Sequence, residues 1–177
     1  LKDLLGKDIP TIAKQANLSW IVVDSKQSEG QEVAFAAQNT VLEISERLSQ
    51  GENFATLAEA FSDDRDTAVN GGMYGWVAEG AFGTLDETIF AMEPGETSDG
   101  VNTGDFTYFF KVAEFDDART VETKMIGFLK EAAIQEWLAN EKGNHRVTSC
   151  FGSGSVGGAC DWQYDWLVKQ MREAAIE

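Results

Sequence analysis

ERLSQGENFATLAEAFSDDRDTAVNGGMYGWVAEG, residues Glu46–Gly80, passes through three kinds of local order in succession. Its first residues close a helical pattern in which Val33, Ala37, Val41, Ile44 and Leu48 recur at helical spacing, and Gly51 stops it. Asn53 is placed to cap a second helix, whose apolar stripe is Phe54, Leu57, Ala58 and Phe61. Beyond Asp63 the texture turns to loop and strand. The pair Gly71-Gly72 marks backbone that needs positive φ or a close approach. Tyr74, Trp76 and Val77 follow as a short strand, with Tyr74 and Trp76 expected to face opposite sides of the sheet.

Working outward, LSWIVVD (Leu18–Asp24) is a β-branched and aromatic run too short for a helix, and predicts a strand. Before it, Lys2–Gln15, broken by Pro10, reads as a frayed helix; after it, Ser25–Gly30 reads as a turn. Thr84–Met92 predicts a short helix with Thr84 as cap, Glu87 as the capping-box partner and Pro94-Gly95 as the stop. FTYFFKVAEF (Phe106–Phe115) is the most strand-like stretch. Helix returns from Val121 to Lys142, with Met125, Phe128, Leu129, Ala132 and Leu138 on overlapping apolar faces. Few, irregularly spaced strands alternating with helices predict an α+β fold: a small antiparallel sheet covered by helices, with extra N- and C-terminal helices. The organisation expected is a helical lead-in over 1–17, a central domain over 18–117 and C-terminal helices over 118–177.

The 177 residues are 43% hydrophobic and 25% charged, the composition of a folded chain. No apolar run reaches the ~18 residues of a membrane span, so no membrane insertion is expected. The chain begins at Leu1 rather than Met, as a processed or trimmed piece would. Thirty acids against fourteen bases give −16, and residues 51–117 hold fifteen acids against Arg65 and Lys111, a local net of −13. Such a surface repels phosphate backbones and anionic headgroups, which argues against nucleic acid and membrane surfaces as partners. It suits a basic or neutral polypeptide, or serves solubility alone.

Cys150 and Cys160 bracket the Gly/Ser-rich FGSGSVGGA, and a disulfide between them is expected because they flank one loop and no other cysteine exists. Closing that loop is worth ~3 kcal/mol in the chain-entropy model and fits an oxidising compartment. With His145 the only histidine, a metal site is not expected. From Asp161 a last amphipathic helix is predicted, with Trp162, Trp166, Leu167 and Met171 on one stripe.

The stretch Glu46–Gly80, IFAMEPGETSDGVNT (Ile89–Thr103) and YFFKVAEF (Tyr108–Phe115) together resemble the parvulin family of peptidyl-prolyl cis-trans isomerases, in its branch of SurA- and PrsA-like extracytoplasmic foldases. The carrying pieces are G-E-x-F-A-x-L-A, F-S-D, G-G-x-x-G-W and G-E-x-S, in the family's order and spacing. The resemblance implies a four-stranded antiparallel sheet wrapped by helices and a site on its concave face. It also implies proline-containing polypeptide clients, no cofactor, and a location in the cell envelope, periplasm or outside, with or without a membrane anchor in the full-length protein.

Residue by residue, the resemblance places Trp20 and Tyr108 where the family carries two histidines, and Asp64 at its Cys/Asp position. Thr103 stands beside Tyr108, and Tyr74, Phe82 and Leu85 line the proline pocket. Trp20 and Tyr108 are expected to be buried against one another across adjacent central strands, with Asp64 near. Two functional classes follow: an isomerase, or a chaperone or docking module that keeps the groove and has lost catalysis.

Overall fold

A computed structural model describes residues 8–25 and 31–144. The chain divides into two compact units, Pro10–Leu129, and Leu1–Ile9 with Lys130–Glu177. Cys150, Cys160, the helix expected from Asp161 and the helical lead-in over Lys2–Lys7 lie outside the described residues.

The elements in chain order are β1 (Ile12–Asp24), α1 (Gln31–Ser49), α2 (Phe54–Phe61), α3 (Arg65–Ala68), β2 (Met73–Ala78), α4 (Thr84–Ala91), β3 (Val101–Asn102), β4 (Phe106–Thr120) and α5 (Thr123–Asn144). The four strands form one antiparallel sheet in the order β2-β1-β4-β3. This is the α+β architecture that the order of elements predicts.

The long central pair β1 and β4 corrects the expected start of the first strand. Ile12–Gln15 is strand, not helix, because it pairs with the far end of β4 as Ile12↔Thr120 and Ala13↔Arg119. Cross-strand pairing overrides a polar composition that carries no strand signal of its own. Gln15 is wholly buried in this extension, and its Nε2 donates to the carbonyls of Arg119 and Thr120 at 3.0 and 3.1 Å.

Alternation along β1 and β4 divides the sheet into two faces. Ile21, Val23 and Phe109 form one core with Ile44 of α1 and Phe54, Leu57 and Ala58 of α2. Trp20, Val22 and Tyr108 have the opposite parity and point to the other face. The Asn53 side chain caps α2, as its position predicts, accepting from the Ala55 and Thr56 N–H groups. Past the end of α2, the F-S-D piece stitches to β1. Ser62 Oγ accepts from Val22 N–H at 3.1 Å, Asp63 N–H donates to Val22 O at 2.7 Å, and Asp63 Oδ2 accepts from Asp24 N–H at 2.9 Å. These bonds take up the edge of β1 that β2 is too short to cover.

The glycine pair does what its sequence predicts. Gly71 and Gly72 have φ of +67° and +80°, and a Cβ on Gly72 would lie 2.3 Å from the Trp20 carbonyl oxygen. The loop therefore presses directly on β1, and Gly72 O accepts from Trp20 N–H at 2.8 Å. Immediately after it the β1–β2 register jumps from Ser19↔Met73 to Leu18↔Gly75, leaving Tyr74 as an extra residue beside Gly75 at φ +100°. This is a β-bulge, and it turns Tyr74 toward Trp20. Trp76 stays in register with Asn17, under the Arg119 guanidinium at 4.3 Å. Two residues apart, Tyr74 and Trp76 would share a face in a regular strand; the bulge separates them.

Helix α4 begins one residue earlier than its sequence suggests. Gly83 is the cap, at φ 58°, and Thr84 is already helical. The residue reaching back is consequently Asp86, not Glu87: its Oδ2 accepts from Phe82 N–H at 2.9 Å. Burial pushes the Asp86 carboxyl above its ordinary range, partly offset by that bond.

Candidate functional site

On the face opposite the α1–α2 core lies a cleft of about 370 Å³. Trp20 and Val22 of β1 and Tyr108 of β4 reach it from the sheet; Asp64, Asp66 and Thr67 from the turn at α3; and Tyr74 of β2 and Lys124 of α5 from the other elements.

The indole of Trp20 is its fixed point. Trp20 Nε1–H donates to Asp64 Oδ2 at 2.7 Å and to Thr67 Oγ1 at 3.0 Å, while the Thr67 hydroxyl donates to the same Asp64 oxygen at 2.6 Å. A carboxylate accepting two short bonds is a strong clamp, because charge-assisted bonds are roughly twice as strong as neutral ones. The ring is then boxed by others, with centroid separations of 4.2 Å to Tyr74, 5.9 Å to Phe82 and 5.9 Å to Tyr108. Phe82 also meets Tyr74 at 5.7 Å and Phe128 at 5.6 Å, both edge-on. Lys124 Nζ sits 4.4 Å from the Tyr74 ring centroid, within cation–π range.

Tyr108 lies between Phe106 and Phe110 on β4, stacked on the latter at 5.9 Å and 7°. Burial, and then the negative charges of Asp24 and Asp64, raise its phenol above the ordinary value of 10.0. The hydroxyl is therefore neutral at physiological pH and able to donate.

Trp20, Asp64, Tyr74 and Tyr108 thus meet in one cleft, and Phe82 backs it. Thr103 does not join them: it is exposed in the β3–β4 hairpin, its hydroxyl donating to the Phe106 carbonyl at 3.1 Å. Leu85 is not among the lining residues either; it lies half-buried in the first turn of α4. Trp20 and Tyr108 are adjacent, with Asp64 at hand, but both rings are half-buried rather than buried, because no helix seals that side of them. Thr67 and Lys124 were not singled out in the sequence. Thr67 follows Asp64 by one helical turn, a local signal. Lys124 has none, since only folding brings α5 to Tyr74.

A four-stranded antiparallel sheet wrapped by helices, with an aromatic cleft on the face turned away from α1 and α2, is a parvulin-class arrangement. The chain belongs to the family of rotamase, PPIC-type PPIase domains, whose model matches residues 21–114. Over 115 residues it is 30% identical to the foldase protein PrsA of Oceanobacillus iheyensis, covering 63% of this chain and 38% of that protein. Over 68 residues it is 38% identical to the chaperone SurA of Methylococcus capsulatus, covering 38% of this chain and 15% of that one. The match spans well under half the length of these curated relatives. The crystal structure of the peptidylprolyl isomerase PrsA from Bacillus anthracis shares the fold, with a TM-score of 0.52 at 20% identity over 78% of this chain and 64% of that one.

Proposed function

We propose that this domain isomerises X–Pro bonds in extended, proline-containing polypeptides, as part of a foldase working outside the cytoplasm. The observation that carries the reading is the fixed aromatic box of Trp20, Tyr74 and Tyr108 in the cleft on the sheet face turned away from α1 and α2. Kinship with PrsA foldases and SurA chaperones supports both the client class and the location. A disulfide between Cys150 and Cys160 would suit that location.

Rotation about an X–Pro bond faces a barrier of ~18–20 kcal/mol from amide conjugation. No covalent step is required. A site lowers the barrier by holding the twisted amide better than either planar form. In this reading Trp20 is the platform for the pyrrolidine ring, held by Asp64 and Thr67. Phe82 backs the platform, and the neutral Tyr108 hydroxyl is the donor available to the substrate. Thr103 and Leu85 have no part in it.

One observation favours a second reading, a chaperone or docking module without turnover. Asp64 Oδ2 is committed to Trp20 and Thr67, and neither Trp20 nor Tyr108 shuttles a proton near neutral pH. Exchange NMR on a proline-containing peptide separates the two. Faster cis-trans exchange with catalytic amounts of protein supports the isomerase; shifted peptide signals at an unchanged exchange rate support the binding module.

A further inference from the structure

We infer that the cleft accepts a cationic side chain beside the proline, and that Lys124 fills that place when no client is bound. The inference rests on the proposed peptide-binding function and names the client chemistry.

The Tyr74 ring has three neighbours, of which Phe82 meets it edge-on at 5.7 Å. Trp20 lies 4.2 Å from it on the sheet side, and the Lys124 ammonium sits 4.4 Å from its centroid. Tyr74 is there because the bulge at Gly75 turns it in, so the ring is presented by the fold rather than left over from packing. Lys124 is the one cationic side chain among the described residues lining the cleft, and it shares that lining with the carboxylates of Asp64 and Asp66. Around them the stretch 51–117 carries a net charge of −13. An aromatic face backed by carboxylates attracts cations, and here a tethered cation already rests on it. Lys124 is itself exposed, so moving aside costs little packing. A client Arg or Lys next to the proline would replace the chain's own ammonium on Tyr74, while Lys124 returns to solvent.

The opposite use of Lys124, as receptor for an acidic or phosphorylated residue, is disfavoured by the same geometry. An anion reaching the ammonium would meet Asp64 and Asp66 in the same cleft.

The test measures affinities of three peptides differing only before the proline, with Arg, its neutral isostere citrulline, or Glu at that position. Each is titrated into the wild-type chain, Lys124→Met and Lys111→Met. Lys111 is exposed on β4 with the parity of Phe109, so its replacement removes the same charge away from the cleft. The expected result is tightest binding by the Arg peptide and a gain of about threefold for it in Lys124→Met, from loss of the competing cation–π contact. The citrulline peptide should not gain, and Lys111→Met should change the Arg peptide distinctly less.

Equal gains in the two variants would overturn the inference by reducing the effect to overall charge. So would equal gains for Arg and citrulline, or a loss of Glu-peptide affinity confined to Lys124→Met. A wild-type readout stands apart from the variants. The Lys124 side-chain methylene protons nearest the ammonium should be shifted upfield by the Tyr74 ring, and saturating Arg peptide should return them to ordinary values. Their staying put in the saturated complex overturns the inference. Catalysed exchange of the citrulline peptide without any cation preference defeats the inference and leaves the isomerase standing. Failure of all three peptides to bind defeats both.

Discussion

Ile21 and Trp20 are neighbours in β1, as Phe109 and Tyr108 are in β4, yet they belong to regions built for different work. Ile21 and Phe109 face α1 and α2 in a core that is apolar throughout and closed to water. Trp20 and Tyr108 face a cleft, half-buried, each with a polar atom on an aromatic body. The period of two in a strand lets one pair of strands serve both, so stability and recognition are separable one residue at a time. The following changes test that separation.

The largest effect belongs to the sealed face. Phe109→Ala should cost ~3–5 kcal/mol of stability through the cavity it leaves. Denaturant unfolding with an unchanged m-value checks it; a loss comparable to that of an exposed-site change would contradict the division of faces. On the open face, Trp20→Phe keeps a ring but deprives Asp64 and Thr67 of a donor, and should cost about 1–2 kcal/mol. Peptide affinity should fall with it, because the platform is no longer fixed. A loss as large as that of Phe109→Ala would show that the cleft rings carry the fold as much as the α1–α2 core does.

Tyr108→Phe is gentler. Unfolding should shift by less than about 0.5 kcal/mol, as for most half-exposed changes. Under the isomerase reading, the exchange rate should drop roughly tenfold for one lost donor. An undiminished rate would remove Tyr108 from the mechanism.

The smallest effect is alkaline. Tyr108 titrates above its ordinary value of 10.0, so its neutral form is favoured in the folded state. Its contribution to stability is complete below the unfolded-state value and is lost as pH rises through the raised folded value. Ultraviolet titration should show one phenol ionising late, and Tyr108→Phe should remove that component.

What the sequence makes legible follows from where the signals lie. Asn53 and Gly71-Gly72 act locally, through capping and positive φ, and can be read in place, whereas the F-S-D piece bonds to Val22 and Asp24, distant in sequence, and its role shows only in the fold. The outer half of β1 cannot be read in place either, since Ile12, Ala13, Gln15 and Asn17 become strand by pairing with segments distant in sequence. The two-residue β3 is too short to leave a pattern. The helix α4 is displaced by one residue because Gly83 supplies a cap that Thr84 equally suggests. In the site, Trp20, Asp64, Tyr74 and Tyr108 come from family resemblance, which also brings in Thr103 and Leu85, and the geometry leaves these two outside. Lys124 escapes both kinds of reading, because its position on Tyr74 is a fact of tertiary structure alone.

The donor that fixes the cleft is an indole. An imidazole at that place would change charge between about pH 5 and 8 and could surrender its bonding partner on the way. Trp20 Nε1–H has no such transition and donates to Asp64 and Thr67 across that whole range. The hydrogen that holds the platform in place therefore stays where it is through wide swings in proton concentration.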